Sequence, residues 1–430
     1  MNPAKDSVGF HESGHYRETP GGTAYRRILA HYLNLIIPPS AEVLEIGCGS
    51  GQLLSLLKCK EKAGVDASTR QIAAAKSRCP DTHFLVADGA DLKPWKKFDV
   101  ILISDTLNHC ADAQRLLESA RRFAKPDTRL VITSYNTLWR PLLGGASLFG
   151  LRSKQPALNW LSGQDVQNLA ELAGWEVIKT TPRILLPGEV PVISPILNRI
   201  LAPLIPFCCL SIITIARPRD RAPALPRSVS VIIPARNEAG NIPAAVTRTP
   251  AMGLWTELIF IEGHSSDETW DAIQRVQKDN PGIRIKIGRQ PGKGKGDAVR
   301  MGFAMAEGEI LMILDADLTM PPEDLPKFYQ AVAEGACEFA NGCRLVYPME
   351  DRAMRFLNLC ANKLFGILFS WLLGQNVKDT LCGTKVLTKV HYEAIAANRA
   401  YFGDFDPFGD FDMLFGADKL NLKIRDIPVR

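Results

Sequence analysis

No two cysteines in the sequence are spaced C-x-x-C, and of the ten present only Cys208 and Cys209 are adjacent. This excludes a zinc ribbon and a dense disulfide frame, and marks the thiols as reduced, mostly core-filling side chains. The amino terminus, Met1-Asn-Pro-Ala-Lys-Asp6, has no apolar stretch, so no secretory signal is expected. Long apolar runs are also scarce. The most extended, Ile200 to Ala216, is uncharged over 17 residues, short of the ~20 that a membrane-crossing helix needs. It carries Pro203 and Pro206 and ends in the β-branched Ser211-Ile-Ile-Thr-Ile215, so a proline-rich loop feeding a buried strand is expected in place of a span. Excess charge is small: a net +5 suits anionic ligands or an anionic membrane surface and is too weak to argue for a nucleic-acid partner.

The hydrophobic content of 46% and charged content of 23% are ordinary for a globular protein, and 430 residues are too many for one core. Two domains are expected, parted at Arg217-Pro-Arg-Asp-Arg-Ala-Pro-Ala-Leu-Pro-Arg227, where only Leu225 could pack. The expected layout is a polar start over 1–24, a first domain over 25–217, a linker over 218–227 and a second domain over 228–430. Both domains read as α/β.

In the first domain a helical pattern from Tyr25 to Ile37 precedes the strand Val43-Leu-Glu-Ile46. Gly47-Cys-Gly-Ser-Gly51 and a helical run follow. Strand, glycine turn and helix let the backbone approach a ligand at a helix amino terminus. Asp66 ends the next strand, where a carboxylate can accept from both hydroxyls of a ribose. Glu45 stands before the turn, Asp88-Gly89 after the strand Phe84-Leu-Val-Ala87, and Asp105 after Phe98-Asp-Val-Ile-Leu-Ile-Ser104.

This ordered set, with Gly47, Gly49 and Gly51, resembles the class I S-adenosylmethionine-dependent methyltransferases over residues 25 to 217. The resemblance implies that the glycine turn packs on the methionine part of the cofactor, Asp66 holds the ribose and Asp88 meets the adenine amine. The rival dehydrogenase reading wants a Tyr-x-x-x-Lys pair, which is absent. Asn108-His109 lies where family members place residues near the transferred methyl, although a satisfied histidine at a strand end is the more ordinary role. A sulfonium donor is already activated, so methyl transfer needs mainly alignment and the sequence does not reveal the acceptor. Leu185 to Phe207, apolar and proline-rich, reads either as a lid or as a packing surface for the second domain.

The second domain opens with Val229-Ser-Val-Ile-Ile-Pro234 and is organised around Ile310-Leu-Met-Ile-Leu314. Five apolar residues in a row indicate a strand buried on both faces, ending in Asp315-Ala-Asp317. That end of such a sheet is where ligands bind, and two carboxylates one residue apart can hold Mg²⁺ or Mn²⁺ with positions left for phosphates. Between these strands come Ala235-Arg-Asn-Glu238, the strand Leu258-Ile-Phe-Ile261 ending at Glu262, and Gly292-Lys-Gly-Lys-Gly-Asp-Ala298.

The order resembles the family 2 glycosyltransferases of the GT-A fold, in the branch that includes dolichyl-phosphate mannose synthase, from residue 228 to the end. The implied architecture is two doubly wound domains, an amino-terminal Rossmann-like methyltransferase and a carboxy-terminal nucleotide-diphospho-sugar transferase fold. The implied donor is a UDP- or GDP-linked sugar, with Pro234, Ala235, Arg236, Glu238 and Glu262 around the nucleoside, Lys293 and Lys295 on the diphosphate, and Asp315 and Asp317 on the metal. Many family members carry two adjacent acids where this chain has Glu262-Gly263, which leaves the base preference open.

Asn341-Gly-Cys-Arg344 is expected to follow a further strand, and Asp351 to Gly374 to form an apolar helix. Arg355, Asn358 and Asn362 share one face of that helix. With Arg344 they are the candidate acceptor contacts, on a helix lying either at a membrane interface or against its own sheet. Asp379-Thr-Leu-Cys-Gly383 and the acidic aromatic run from Phe402 to Asp412 match later family motifs, with Asp410 and Asp412 as acceptor contacts or base. The chain stops at Arg430, where relatives continue with a basic segment, so the second domain is expected to be truncated. The expectation is a bifunctional enzyme at the cytoplasmic face of the membrane, passing sugar to a polyprenyl phosphate or glycolipid. Two alternatives stay open: transfer to a glycan hydroxyl, and one domain reduced to a docking module.

Overall fold

The computed structural model describes residues 18–148, 159, 161–219, 226–344, 365–366, 368–380, 382–398 and 410–429. They belong to two compact units, Met1–Asp220 and Arg221–Arg430.

The first unit is built on seven strands: β1 (Glu42–Ile46), β2 (Glu61–Asp66), β3 (His83–Val86), β4 (Phe98–Ser104), β5 (Ala124–Tyr135), β6 (Trp175–Arg183) and β7 (Ser211–Pro218). Their order is β3-β2-β1-β4-β5-β7-β6, with β1 to β5 parallel and β7 antiparallel to both its neighbours. Helices cover both faces, which is why the inner strands are apolar throughout and not alternating. Leu44 and Ile46 enter the core with Phe98, Phe123 and Trp175, whereas Val43, which precedes them on β1, enters the opposite core with Leu29, Leu33 and Val131. From β1 the chain winds outward to β3 and then returns across β1 to β4, so the connections diverge between β1 and β4 and open a crevice at the carboxyl edge.

The second unit repeats the device with β8 (Val229–Ala235), β9 (Thr256–Glu262), β10 (Arg284–Arg289), β11 (Ile310–Ile313), β12 (Phe339–Cys343), β13 (Lys385–Thr388) and β14 (Ile424–Pro428). The order is β10-β9-β8-β11-β13-β12-β14, with β13 antiparallel to β11 and β12. Its crevice opens between the parallel strands β8 and β11.

Local departures from the sequence reading have physical causes. The first helix starts at Pro20, ahead of Tyr25: Thr19 caps it through its hydroxyl oxygen, which accepts from the Gly22 amide at 3.2 Å, and proline is well placed at a first helical position. Asn341, Gly342 and Cys343 lie within β12, where they were expected to follow the strand. Tertiary bonding outweighs their poor strand propensity, since Asn341 Nδ2 donates to the Asp379 carbonyl (2.9 Å) and to Asp426 Oδ1 (2.7 Å). Ile200 to Ala216 passes from helical turns into β7, and among the described residues no helix is long and apolar enough to cross a membrane. Of the expected helix from Asp351 to Gly374, residues 365–366 and 368–373 are described as helical, and Arg355, Asn358 and Asn362 lie outside the described residues.

Candidate active sites

The crevice of the first unit holds a cavity of about 320 Å³ lined by Glu45, Gly47, Gly49, Asp66, Asp88, Gly89 and Asp105, together with Tyr25 and His109. Gly51 does not line it. Gly47, Gly49 and Gly51 have φ of 80°, 51° and 69°, a region L side chains avoid. At Gly47 an added Cβ would also run into the Thr106 side chain. The turn is held by Gly47 and Cys48 amides donating to the Val65 carbonyl at 2.7 and 2.9 Å, and by Gly49 N–H donating to Asp66 Oδ2 at 2.8 Å. The other Asp66 oxygen accepts from the Ser68 amide at 2.9 Å. Asp88 accepts from the Ala90 amide at 2.9 Å, fixing the short turn through Gly89.

Asp105 sits at φ 55°, accepting from the Tyr25 hydroxyl (3.1 Å) and the Thr133 hydroxyl (2.9 Å). Burial raises its carboxyl above the usual range, against the pull of those hydrogen bonds. Tyr25, also close to Ser211 Oγ at 2.9 Å, is pushed well up by burial and by the Asp105 charge. Neither partner was foreseeable from sequence spacing, since Tyr25, Thr133 and Ser211 come from three distant stretches. Glu45 is only 2% exposed and its Oε2 has no hydrogen-bond partner. Burial, with the nearby Asp66 and Asp105 carboxylates, holds its pKa well above the ordinary value despite Arg26. Six acidic side chains line this cavity, Asp91 and Asp112 besides those above, against Arg26 and Arg115; over a backbone turned to admit close approach, they suit a ligand with a cationic centre and a ribose. A sulfonium nucleoside is such a ligand, and the residues fit it.

In the second unit a cavity of about 340 Å³ is lined by Pro234, Ala235, Arg236, Glu238, Lys295, Asp315 and Asp317, with Gly263, Gln290 and Gly294. Thus β8, the glycine loop and β11 converge on one crevice. Lys295 Nζ lies 2.5 Å from Asp315 Oδ1. Asp317 Oδ1 accepts from both the amide and the hydroxyl of Thr319, each at 3.0 Å. Lys293 is exposed and does not line the cavity. Glu262 is buried at the end of β9, where it accepts from the Ser265 amide at 2.5 Å and lies 3.6 Å from Arg289; its neighbour Gly263 faces the cavity in its place. His264 Nε2 is 2.9 Å from the Gly292 carbonyl, a contact that ties the β9 turn to the glycine loop.

Gly383, which spacing did not single out as a site residue, lies against the ion pair: a Cβ there would overlap both the Asp315 carboxylate and the Lys295 ammonium. Its approach is fixed by Asp379, fully buried, which accepts from the Cys382 amide at 3.0 Å. Asp379 also accepts from Arg344 Nε at 2.9 Å and Nη2 at 3.2 Å. The structure therefore places Arg344 in a support that positions Gly383. Asp412 is half-buried on the Asp410–Lys419 helix, outside the residues lining the cavity. Asp315 and Asp317 offer hard oxygen donors beside a lysine in a crevice, a set that suits Mg²⁺ or Mn²⁺ shared with a diphosphate.

Residues 230–394 match the model of glycosyl transferase family 2, and residues 15–180 match that of a methyltransferase domain. The chain carries a methyltransferase domain followed by a family 2 glycosyltransferase domain. Over 176 residues it is 37% identical to a dolichol-phosphate mannosyltransferase of Pyrococcus furiosus, covering 40% of this chain and 49% of that protein. The dolichol-phosphate mannosyltransferase of Saccharomyces cerevisiae is 37% identical over 112 residues, covering 25% and 42%. An undecaprenyl-phosphate 4-deoxy-4-formamido-L-arabinose transferase of Salmonella paratyphi A is 32% identical over 167 residues, covering 38% and 49%. The chain thus spans about half, or less, of the length of these relatives. A S-adenosylmethionine-dependent methyltransferase of Thermotoga maritima aligns with 46% of this chain and 91% of its own, at 20% identity and a TM-score of 0.35.

Two outcomes are expected. Gly383→Ala should part Lys295 from Asp315 and abolish nucleoside diphosphate binding, measured by calorimetry, with S-adenosylhomocysteine binding unchanged; retained diphosphate binding would show that the Gly383 contact is not needed. Glu45 has a folded pKa raised above its unfolded value of ~4.3, so its favourable contribution is present below that value and is lost as pH rises through the raised one. Glu45→Gln should therefore gain in melting temperature over the parent as pH rises above the unfolded carboxylate value. A difference independent of pH would contradict a buried carboxyl whose pKa is raised by folding.

Proposed function

We propose that the second unit transfers a sugar, with inversion, from a UDP- or GDP-linked donor to a polyprenyl phosphate or related lipid-linked acceptor. We further propose that the first unit methylates a component of the same glycan or lipid pathway with S-adenosylmethionine. The observation that carries the reading is the convergence of Lys295, Asp315 and Asp317 in a cavity whose other wall is the Pro234 to Glu238 loop. The lipid acceptor is supported by the relatives described above, which are dolichol- and undecaprenyl-phosphate transferases.

In this reading Arg236 and Glu238 bind the nucleoside end of the donor, and Lys295 pairs with the diphosphate as it takes up charge. Asp315 and Asp317 would hold the divalent cation, which supplies charge neutralisation to the departing diphosphate. The acceptor phosphate is already ionised at neutral pH, so its oxygen attacks the anomeric carbon without a dedicated base, on the face opposite the leaving group. The protein's share of the work is alignment: fixing donor and acceptor in line in a crevice of limited volume. In the first unit Asp66 would hold the ribose, Asp88 the adenine end, and Glu45 and Asp105 would lie near the sulfonium.

Asp317→Ala in the full chain should lower transfer of labelled sugar into an organic-extractable product by about 10²-fold or more, with S-adenosylhomocysteine binding unchanged. Undiminished transfer would reject the role of the acidic pair, and label confined to the aqueous phase would move the acceptor to a glycan hydroxyl.

A further inference from the structure

The stretch between β6 and β7 is folded with its polarity reversed. Its helical turns, Ile193–Pro195 continued by Ile196–Leu201, bury Ser194 and Asn198 and expose Ile193, Ile196 and Ile200. The two polar side chains are spent on holding the stretch together. Ser194 Oγ accepts from the Val190 amide at 2.8 Å and donates to the Gly188 carbonyl at 2.5 Å. Asn198 Oδ1 accepts from the Leu185 and Leu186 amides, each at 2.8 Å, and its Nδ2 donates to the Leu186 carbonyl at 2.9 Å. From the Pro20–Ile36 helix the Tyr32 hydroxyl donates to the Asn198 carbonyl at 2.8 Å.

Many of the large apolar side chains are left outside, although Leu185, Leu186, Leu197 and Ile205 are half-buried. Val192 is 71% exposed, Leu204 63% and Phe207 64%, and Leu138 and Leu142 are 61% each. Asn136 Nδ2 donates to the Phe207 carbonyl at 2.8 Å and Trp139 Nε1 to the Cys208 carbonyl at 2.8 Å, so the turn after β5 and this stretch form one surface. Scattered exposed apolar side chains need no explanation, but a contiguous set backed by a polar interior does.

Charge narrows the occupant. No acidic residue occurs from Val190 to Ala216, where the single charge is the exposed Arg199. Glu189, just before, is paired with Arg27 at 2.8 Å, and the exposed Arg140 follows Trp139. An apolar helical face flanked by Arg199 and Arg140, its adjacent acid Glu189 engaged with Arg27, is the pattern of a segment lying in the headgroup region of an anionic bilayer. The face also hangs from a functional edge. Tyr135 at the end of β5 and Arg183 at the end of β6 both pair with Ser211, so the stretch leaves the sheet at its carboxyl edge, where the cavity of Glu45, Asp66 and Asp105 opens.

We propose that this face of the first unit docks on an anionic lipid surface, with Ile193, Ile196, Ile200, Leu204 and Phe207 in the headgroup boundary and Arg199 and Arg140 among the phosphates. A methyl acceptor would then reach the cavity from the membrane as an amphiphile; that consequence rests on the methyltransferase reading, whereas the docking does not.

The test is co-sedimentation of the full chain with vesicles of phosphatidylglycerol and phosphatidylcholine, compared with phosphatidylcholine alone. Salt titration, light scattering and S-adenosylhomocysteine calorimetry accompany it. The parent is expected to bind the anionic vesicles, less so as salt rises, and Ile196→Glu with Ile200→Glu to weaken binding about tenfold or more with calorimetry unchanged. Equal binding by the double variant, or none by the parent, overturns the proposal. A concentration-dependent dimer that the double variant abolishes, without vesicle binding, overturns it in favour of a second copy of the chain. Vesicle binding without any S-adenosylhomocysteine binding removes the methyltransferase reading and leaves the docking face standing.

Discussion

The contact between Lys295 and Asp315 joins the parts of the second unit that matter for its chemistry. Lys295 begins the helix after the glycine loop, Asp315 lies just past β11, and the chain at Gly383 passes directly over both. A Cβ there would displace the ends of both side chains. Gly383 is in turn fixed by a buried carboxylate, Asp379, whose charge is met by Arg344 and by the Cys382 amide. In the proposed reading this lysine and carboxylate would exchange partners on binding a diphosphate and a cation, since each charge would then find a better-matched neighbour. The crevice between β8 and β11 is where the topology lets these pieces meet.

The first unit uses the same topological opening for a different electrostatic purpose. Its crevice gathers acidic side chains, Glu45, Asp66, Asp88 and Asp105, and burial holds Glu45 and Asp105 above the usual carboxylate range. In the proposed reading, aspartate and glutamate at one sheet edge would serve a cationic nucleoside in one unit, and in the other a cation that would carry an anionic nucleotide. Sequence position alone does not separate these roles. In the second unit Lys295 pairs directly with Asp315, whereas in the first Asp105 bonds the neutral hydroxyls of Tyr25 and Thr133, with Arg26 and Arg115 elsewhere on the cavity wall.

Much of this was legible in the chain because it is local. Buried parallel strands appear as unbroken apolar runs, the glycine turn from Gly47 to Gly51 appears as composition, and Asp315-Ala-Asp317 follows its strand directly. What escaped is contact between distant stretches. Gly383 over Lys295, Tyr25 on Asp105 and Arg344 on Asp379 have no local signature, and Asn341 enters a strand against its propensity because Asp379 and Asp426 bond its side chain. Leu185 to Phe207 was legible as apolar and proline-rich, yet the sequence leaves its direction open. Only the bonds made by Ser194 and Asn198 show that the polar side chains face inward.

The central claim is that one chain holds two separate nucleotide sites of opposite electrostatic design. The most direct measurement is thermal unfolding of the full chain with S-adenosylhomocysteine, UDP and GDP, each with and without Mn²⁺. A ligand at ~100 times its dissociation constant stabilises the unit that binds it by ~2.7 kcal/mol, which is readily observed. The account predicts a shift with S-adenosylhomocysteine that is indifferent to Mn²⁺, and a second shift with one of the two nucleotides that requires it. Absence of any Mn²⁺-dependent nucleotide shift beside a clear S-adenosylhomocysteine shift would contradict the account and leave the chain with a single working site.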